Sequence, residues 1–275
     1  MEKYLIMSDL DRTLLNKKSR ISWRSKLFIK KLERKGHYFI MATGRPYQGS
    51  LRFIKNLKPS IIVCDNGGSI HFIHEPEKSI FTTIPKDLFL GFIKEIKPYI
   101  LAGMSSDYKN ICMYNPDMLP FWMKHIDESR KVFTGDLEDI LNHNPINPNL
   151  FIKRNDFNKV TSLLDTKYSD TLGYRFWDNP DFPSFISLEI FNRKCDKGIA
   201  LDTLKQILNI KEQNDLAFGD SLNDIEMLTH AHNGVAMINA RPEVKKISKY
   251  ITKYPNYKNG EIRFIKKFLK KNKAW

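Results

Sequence analysis

The sequence predicts an α/β protein in which a parallel β-sheet carries helices on its faces and a second, mixed domain interrupts the chain. Short apolar runs alternate with amphipathic helices over about residues 4–68, and the same alternation resumes near residue 197. Between these segments the chain changes character and is rich in Pro and Asn. Alternating strands and helices are typical of a parallel sheet covered by helices. We therefore expect a discontinuous core over 1–84 and 192–275 and an inserted α+β domain over 85–191.

The first part of the predicted core contains three strands and two helices. Strands are expected over 4–7, 37–42 and 61–64, and a helix over 23–35. Gly36 follows that helix, and a glycine just past the last turn is a common helix stop. Pro46 suits the first turn of a second helix, because its missing N–H is not needed there. The run 65–68 (Asp-Asn-Gly-Gly) ends the third strand in a turn.

The inserted domain is predicted to mix helices and strands. Its helices are expected over 86–97 and 156–164, and its strands over 150–153, 172–177 and 185–191. The core alternation then returns, with helices over 197–208, 224–228 and 242–249 and strands over 216–219 and 234–237. A last helix is expected near the C-terminus, where apolar residues recur at helical spacing at Ile262, Ile265, Phe268 and Leu269.

The composition indicates a globular protein without a membrane span. Hydrophobic residues make up 41% of the chain, and its apolar runs are far shorter than the about 20 residues needed to cross a bilayer. The first run leads directly to Asp9 without a small-residue cleavage site, so no signal peptide is expected. Cys64, Cys112 and Cys195 show no C-x-x-C spacing, which indicates reduced thiols rather than a disulfide framework or a zinc site. We expect a cytoplasmic protein.

The net charge of +14 raises nucleic acid as a partner, but the distribution of the lysines argues against it. Lysines are spread along the whole chain, and the densest cluster, over 266–273, falls on the predicted last helix as its solvated face. We therefore expect neither a nucleic-acid nor a membrane partner. The positive potential would instead help to capture small anionic substrates. The sequence predicts nothing about the oligomeric state.

Two carboxylates, Asp9 and Asp11, follow the first predicted strand. Ligands of open α/β sheets bind outside the carboxyl ends of the strands, and side chains two residues apart share one face of a continuing strand. The pair could therefore serve one reaction centre, one acid as nucleophile and the other as proton donor and acceptor. Taken alone, two such acids are more often solvated residues of a turn. The catalytic interpretation therefore depends on whether the rest of the chain supplies a phosphate-binding segment, a cation and a metal site.

Two further segments offer phosphate contacts. Thr43-Gly44-Arg45 follows the second strand and precedes a helix, whose N-terminus attracts phosphate through unsatisfied N–H groups and the helix dipole. For this segment taken alone, capping of that helix by Thr43 is at least as good an interpretation. Lys197 stands at the start of another helix, where the dipole mildly disfavours a cation. Its placement favours a functional role, although a solvated lysine is the simpler interpretation of Lys197 alone.

The segment 219–224 offers oxygen ligands after a third strand. Asp220, Asn223 and Asp224 suit a hard cation, although such a loop is often only a turn with a helix cap. If Asp9, Asp220 and Asp224 converge, each like-charge pair at about 4 Å costs on the order of 4 kcal/mol. A divalent cation would relieve that repulsion, and Mg²⁺ is the natural choice because it binds one or two carboxylates with waters and phosphate oxygens.

The order of these segments, D-x-D-x-T, then T-G-R, then a lysine before glycine, then G-D-x-x-N-D, resembles the haloacid dehalogenase-like superfamily. The motifs run from Asp9 to Asp224, and the resemblance extends over essentially the whole chain. The insertion between the second and third motifs resembles the C2-type cap of the Cof-type phosphatases. The core segments 66–67 and 234–240 also resemble that subgroup. The resemblance implies a Rossmann-like core and a cap that closes over the site and sets specificity.

The resemblance also implies catalytic roles. Asp9 would attack phosphorus and form an aspartyl-phosphate. Asp11 would protonate the leaving oxygen and then activate water. Thr43 would hydrogen-bond the transferring phosphoryl group, and Lys197 would offset its negative charge, in line with the need of phosphoryl transfer for positioning and charge neutralisation.

The resemblance implies two overlapping groups of binding residues. Mg²⁺ would be held by Asp9, the main-chain oxygen of Asp11 and Asp220, with Asp224 and Asn223 in or next to its coordination shell. The substrate side would comprise Thr43, Gly44, Arg45, Asn66 and Lys197. For Arg45 and Asn66 a surface charge and a turn residue are equally good interpretations.

Arg12 departs from the pattern of the resemblance, which has glycine after the second aspartate. Glycine permits backbone shapes that other residues resist, so Arg12 must fit by a compatible φ. One interpretation is a tolerated substitution with the side chain in solvent, and the other is a contact with a second anionic group of the substrate. The first is slightly favoured.

The sequence therefore predicts a Mg²⁺-dependent phosphatase, a phosphoric monoester hydrolase, acting on a small phosphorylated metabolite such as a sugar phosphate, nucleotide or cofactor. A phosphosugar mutase on the same core is the alternative. A catalytically idle binding protein is a different class, and the intact acidic and basic motif residues argue against it. Nucleic-acid binding is the least favoured of these functions.

Overall fold

The computed structural model describes residues 2–54, 57, 59–107, 110–118, 131–178 and 183–275. The chain divides into two compact units, one formed by Met1–Ile80 with Cys195–Trp275 and the other by Phe81–Lys194. The sequence placed the corresponding boundaries at 84/85 and 191/192. Each unit has its own sheet and its own hydrophobic core.

The described residues contain strands in both units. In chain order they are β1 (Leu5–Asp9), β2 (Tyr38–Ala42), β3 (Ile61–Cys64), β4 (Ser69–Phe72), β5 (Ile80–Phe81), β6 (Ile100–Ser106), β7 (Asn110–Tyr114), β8 (Lys131–Thr134), β9 (Asn149–Lys153), β10 (Leu172–Trp177), β11 (Phe185–Asn192), β12 (Asp215–Gly219), β13 (Gly234–Ala236) and β14 (Tyr250–Ile251).

The helices of the described residues mostly follow or precede these strands. In chain order they are α1 (Trp23–Arg34), α2 (Tyr47–Ile54), α3 (Lys86–Ile96), α4 (Leu137–Ile140), α5 (Phe157–Thr166), α6 (Lys197–Ile207), α7 (Ile225–His230), α8 (Pro242–Ile247) and α9 (Gly260–Lys271). In the part of the chain that the structure describes, no helix combines the length and apolar character required to cross a bilayer.

The sheet of the first unit has eight strands in the order β14-β13-β12-β1-β2-β3-β4-β5. β1 lies between β2 and β12 and runs parallel to both, with Asp9 opposite Ala42 and Ser8 opposite Phe218. β4 is antiparallel to β3. All five residues of β1 are buried, as expected for a central strand covered on both faces. The predicted α/β fold with a parallel core sheet is confirmed, and an antiparallel strand is added at one side.

Helix α1 shows how local sequence determines an element that covers this sheet. The Ser22 side chain caps it by accepting a hydrogen bond from the Ser25 N–H at 3.0 Å. Ile29 and Leu32 are buried on one face, so burial of that apolar face orients the helix.

The second unit contains a six-stranded sheet in the order β10-β11-β9-β6-β7-β8. Neighbouring strands in this sheet are antiparallel, except for β7 and β8, which run parallel to each other. The apolar face of α3 packs with α5 and the central strands to form the core of this unit, with Phe89 and Phe92 from α3, Val160 and Leu164 from α5, and Leu150 and Leu188 from the sheet. The unit is therefore a mixed α+β structure.

Several elements differ from the sequence prediction. β1 extends to Asp9, so this carboxylate belongs to the strand itself and not to the loop after it. Strands β6 and β7, near the middle of the second sheet, were not predicted. β6 contains Gly103 and two serines, and its strand conformation depends on pairing with β7 and β9. No disulfide joins Cys64, Cys112 and Cys195, all of which lie in the described part of the chain and are buried.

Candidate active site

The carboxyl ends of β1, β2 and β12 lie side by side because these strands are parallel neighbours. Asp9 is the last residue of β1, Thr43 follows β2, and Asp220 follows β12. All three side chains are buried. Three motifs that are far apart in the sequence therefore meet at one edge of the sheet, where ligands of α/β folds bind.

A wide turn over Leu10–Leu14 follows β1. Arg12 has φ 61° and ψ 3°, in the left-handed region, while Leu15 N–H closes the turn on the Leu10 carbonyl oxygen at 2.8 Å. Thr13 is buried, and its hydroxyl donates a hydrogen bond to Asp220 Oδ1 at 3.1 Å. The turn thus fastens the end of β1 to the loop after β12.

Lys197 connects two of the acidic residues. Its Nζ lies 2.7 Å from Asp9 Oδ1 and 2.6 Å from Asp224 Oδ1, and the lysine side chain is completely buried. Lys197 is the first residue of α6, which is capped by the Asp196 side chain accepting a hydrogen bond from Ile199 N–H at 2.7 Å. The cap sets the direction in which the chain enters the helix, and so places Lys197 beside β1.

The loop after β12 presents Asp220 and Asp224. Asp224 Oδ2 accepts hydrogen bonds from the backbone N–H groups of Asp220 at 2.9 Å and Ser221 at 3.0 Å. A Cβ at Gly219 would lie 2.4 Å from the Asp224 Cβ, so only glycine allows Asp224 to fold back this closely. Asp9, Asp220 and Asp224 each offer a carboxylate oxygen, and these atoms lie within 4.8 Å of one another.

Burial and mutual repulsion dominate the electrostatics of this cluster. Burial, followed by repulsion from Asp224, raises the pKa of Asp9 well above its usual value against the attraction of Lys197. The same two causes raise the pKa of Asp220 to about 6, although the Thr13 hydroxyl and the Arg12 charge oppose them. Burial disfavours charged Lys197, but the charges of Asp224 and Asp9 outweigh burial and raise its pKa. The cluster holds more carboxylate charge than its lysine neutralises.

These residues fit a hard divalent cation. Carboxylate oxygens are the ligands that Mg²⁺ prefers, and buried acids held within a few ångström of one another are costly without a compensating charge. Among the described residues, Asp9, Asp220 and Asp224 form the only group of three or more His, Cys, Asp and Glu side chains with this spacing. Of the other predicted metal residues, the Asp11 side chain lies outside the group.

The predicted phosphate-binding segment, Thr43-Gly44-Arg45, does not form a simple helix cap. Thr43 Oγ1 accepts a hydrogen bond from Arg45 N–H at 3.2 Å, whereas α2 begins only at Tyr47. The alternative in which Thr43 caps α2 is therefore wrong. Arg45 binds Asp11 through two parallel hydrogen bonds of 2.9 Å, from Nε to Oδ2 and from Nη2 to Oδ1. This hydrogen bonding raises the pKa of Arg45.

Asn66 and Asn223 meet at the same sheet edge. Asn66 is buried and has φ 55°, and its Oδ1 accepts a hydrogen bond from Asn223 Nδ2 at 2.8 Å. A Cβ on Gly44 would lie 2.8 Å from Asn66 Oδ1, so Gly44 makes room for this side chain. The predicted substrate residue Asn66 thus supports the predicted metal residue Asn223.

Two residues of this site, Thr13 and Asn239, were given no role from the sequence. Thr13 is the threonine of the D-x-D-x-T motif, but its hydrogen bond to Asp220 was not predicted, because no local pattern links the two positions. Asn239 donates from Nδ2 to the Arg12 carbonyl oxygen at 2.8 Å, while Arg12 Nη2 donates to the Asn239 carbonyl oxygen at 3.3 Å. The run 234–240, which contributed to the family resemblance, was the available signal for Asn239.

Comparison with known proteins identifies the same family over nearly the whole chain. The family model for haloacid dehalogenase-like hydrolases matches residues 6–265. The 5-amino-6-(5-phospho-D-ribitylamino)uracil phosphatase YitU of Bacillus subtilis is 28% identical over 275 residues, which cover 97% of this chain and 97% of YitU. Phosphatase YwpJ of the same organism is 26% identical, over 96% of this chain and 99% of its own length.

Solved structures share the fold over nearly the whole chain. A Thermotoga maritima protein aligns with a TM-score of 0.78 and 25% identity, over 97% of both chains. A haloacid dehalogenase-like hydrolase from Bacteroides thetaiotaomicron aligns with a TM-score of 0.76 and 24% identity, over 97% of this chain and 100% of its own. The predicted enzyme class, a phosphatase, is confirmed by the named relatives, and the predicted fold by the solved structures. With its family model spanning residues 6–265, the chain belongs to the haloacid dehalogenase-like hydrolases.

Proposed function

We propose that the protein is a Mg²⁺-dependent phosphatase that hydrolyses a small phosphorylated metabolite through an aspartyl-phosphate intermediate on Asp9. The observation that carries this proposal is the buried Lys197, which holds Asp9 and Asp224 at 2.7 and 2.6 Å beside Asp220. A nucleophilic carboxylate, a fixed cation and an acidic metal site are the parts that phosphoryl transfer through an aspartyl-phosphate uses.

Asp9 is the proposed nucleophile. Lys197 holds Oδ1, and Oδ2 attacks phosphorus, forming an O–P bond while the bond to the substrate oxygen breaks. Because the Lys197 ammonium is fully buried, its charge acts on the phosphoryl group without competition from bulk water. Thr43, buried at the end of β2, is the proposed hydrogen-bond partner of that group, with the adjacent Gly44 completing the turn.

Asp11 is the proposed acid and base. It gives a proton to the leaving oxygen in the first half of the reaction and takes one from water in the second, when the Asp9–phosphate bond is cleaved. Its side chain is 45% exposed and therefore accessible to a substrate, and the two bonds from Arg45 hold it in one orientation. Arg45 thus positions Asp11 in addition to its predicted place on the substrate side.

The proposed Mg²⁺ residues are Asp9, the main-chain oxygen of Asp11, Asp220 and Asp224, with Asn223 next to them. When bound, the ion supplies positive charge that offsets the carboxylates and the phosphoryl oxygens. Thr13 and the backbone N–H groups of Asp220 and Ser221 orient the carboxylates for this role. Asn66 keeps Asn223 in place through the 2.8 Å amide contact.

The unit Phe81–Lys194 is proposed to be the C2-type cap that sets specificity. Three basic residues of this unit, Lys153, Arg154 and Arg175, carry a charge that suits an anionic substrate. In the structure each has a partner inside the unit: Lys153 donates to the Pro98 carbonyl oxygen, Arg154 pairs with Asp178, and Arg175 pairs with Glu189. A substrate would have to compete with these contacts.

Asp9→Asn tests the mechanism. Hydrolysis of p-nitrophenyl phosphate in the presence of Mg²⁺ should fall by at least about 1,000-fold, since an amide cannot form the acyl phosphate. Asp170→Asn, which changes an exposed aspartate of the second unit, should leave the rate unchanged. Metal-dependent hydrolysis that survives in Asp9→Asn would show that the mechanism is wrong.

A substrate screen tests the reaction class. Phosphorylated sugars, nucleotides and cofactors should be offered with and without Mg²⁺, including 5-amino-6-(5-phospho-D-ribitylamino)uracil, the compound for which the relative YitU is named. Release of inorganic phosphate is the expected product. Formation of an isomeric sugar phosphate through a trapped bisphosphorylated intermediate would instead support the mutase alternative.

A further inference from the structure

Arg12 contacts the acidic cluster from the turn after β1. Its Nε lies 3.4 Å from Asp220 Oδ2, and Nη2 donates to the Asn239 carbonyl oxygen at 3.3 Å. The Arg12 side chain is 66% exposed, whereas that of Asp220 is 2% exposed. The Asn239 side chain in turn holds the Arg12 carbonyl oxygen at 2.8 Å. The residue therefore contacts its neighbours through both its backbone and its side chain, although most of the side chain is in solvent.

Both oxygens of Asp220 are engaged by this arrangement. The Thr13 hydroxyl donates to Oδ1 at 3.1 Å, and the Arg12 guanidinium faces Oδ2. A cation that binds Asp220 must therefore share a carboxylate with a guanidinium that is charged at every relevant pH.

We propose that Arg12 is an intramolecular counter-cation of the metal site, which competes with the divalent ion for Asp220 and so weakens its binding. The inference rests on the proposed function, because it concerns the same metal site. It assigns to Arg12 a role toward the metal ion and not toward the substrate.

The charge balance supports this role. Ionised Asp9, Asp220 and Asp224 with Lys197 carry two net negative charges, which a divalent cation neutralises completely. The guanidinium of Arg12 reduces that charge to one. A divalent ion then enters a site that is already partly neutralised, and it also meets the repulsion of a nearby positive charge. Since Arg12 is largely exposed, solvent and salt screen this repulsion, so its effect is modest.

The contacts of Arg12 direct two of its nitrogens to protein oxygens, Nε to Asp220 and Nη2 to the Asn239 carbonyl. A substrate anion would have only the remaining guanidinium N–H groups to bind. The two roles predict different measurements, because one changes metal affinity and the other changes the Michaelis constant.

The test is the binding of Mn²⁺, as a stand-in for Mg²⁺, measured from the electron paramagnetic resonance signal of the free ion without substrate. Arg12→Gln removes the charge but keeps a side chain at φ 61°, so backbone strain is unchanged. Mn²⁺ should bind about three- to tenfold more tightly to this variant at low salt, and the gain should shrink at high salt. Arg12→Lys, which keeps the charge, should stay near the wild type.

Arg20→Gln is the matched control, since it removes one exposed positive charge from the same unit and should leave Mn²⁺ affinity unchanged. Equal or weaker Mn²⁺ binding by Arg12→Gln would overturn the inference, and so would an effect confined to the Michaelis constant for substrate. Those results would leave the proposed function intact if Asp9→Asn is inactive. A wild-type protein that binds neither Mn²⁺ nor Mg²⁺ would overturn the proposed function itself, and the role of Arg12 with it.

Discussion

Lys197 determines the charge balance among the buried acids of the site. It is completely buried, and its ion pairs with Asp9 and Asp224 are both shorter than 3 Å. A buried charge pair contributes little net stability compared with apolar residues, but removal of one partner leaves an uncompensated charge in the interior. The lysine therefore has a structural role in the metal-free protein and a proposed catalytic role with substrate.

Lys197→Met should separate these two roles. Loss of the ammonium should reduce phosphatase activity by at least about 1,000-fold. It should also lower the free energy of unfolding of the metal-free protein by about 3–5 kcal/mol, because Asp9 and Asp224 lose their partner. Mg²⁺ should restore part of that stability, as measured by urea denaturation with and without the ion.

The control is Lys205→Met in the same helix. Lys205 is also buried and pairs with Asp202, Glu212 and Asp215, away from the site. Its loss should destabilise the protein without a rescue by Mg²⁺ and without loss of the chemical step. If Lys197→Met behaved in the same way, the assignment of Lys197 to the active site would be wrong.

At the scale of elements, the turn after β3 brings α6 to the site. Asp65, Asn66 and Gly67 all have positive φ, and a Cβ on Gly67 would lie 2.2 Å from the Asp196 carbonyl oxygen. Asp196 caps α6 immediately before Lys197. The absence of a side chain at Gly67 therefore allows the turn to approach the start of the helix that carries Lys197.

Gly67→Ala should consequently disturb both stability and activity. The methyl group cannot fit against a backbone oxygen, so we expect a loss of about 2–4 kcal/mol and a fall in kcat as the start of α6 moves. Gly36→Ala is the matched comparison: Gly36 also has positive φ, at 85°, but a Cβ there meets nothing within 4 Å. It should cost about 1 kcal/mol from backbone strain alone and leave kcat unchanged. Equal losses in the two variants would contradict the close packing at Gly67.

At the scale of the whole molecule, a buried carboxyl group makes the free energy of unfolding depend on pH. Glu261, in the first turn of α9, is 1% exposed, and burial raises its pKa from 4.5 to about 8 in spite of the nearby Ser8 hydroxyl. Between these two pH values the folded state holds a proton that the unfolded state has lost. The stabilisation from this group is therefore complete below pH 4.5 and is lost as the pH rises toward 8.

Glu261→Gln should remove this dependence while keeping the shape of the side chain. Between pH 5 and pH 9 the variant should gain a few kcal/mol of unfolding free energy relative to the wild type. In the pH range where Glu261 titrates, this gain should be about 1.4 kcal/mol for each pH unit. Urea denaturation at a series of pH values measures it. Glu243→Gln, at an exposed position of α8, should follow the wild-type profile. Parallel profiles for Glu261→Gln and the wild type would contradict the prediction.

The sequence by itself determined the fold class and the positions of the chemistry-bearing motifs. The buried strands of the core are short apolar runs, and the helices between them repeat apolar residues at helical spacing, so local periodicity was sufficient. The acids of β1 and of the loop after β12 were placed at strand ends by the same reasoning. In the second unit local signals were weaker, and β6 was missed because pairing with β7 and β9 compensates for its glycine and serines.

Only the tertiary structure decided which side chains bind one another. Lys197 reaches Asp9 across 188 positions, Thr13 reaches Asp220 across 207, and Arg45 binds Asp11 across 34. No periodic pattern connects such distant positions. Their contacts depend on the parallel order of β2, β1 and β12, which brings the ends of three separate segments to one edge. The sequence thus named the acids and the lysine, and the packing of the sheet determined how they are paired.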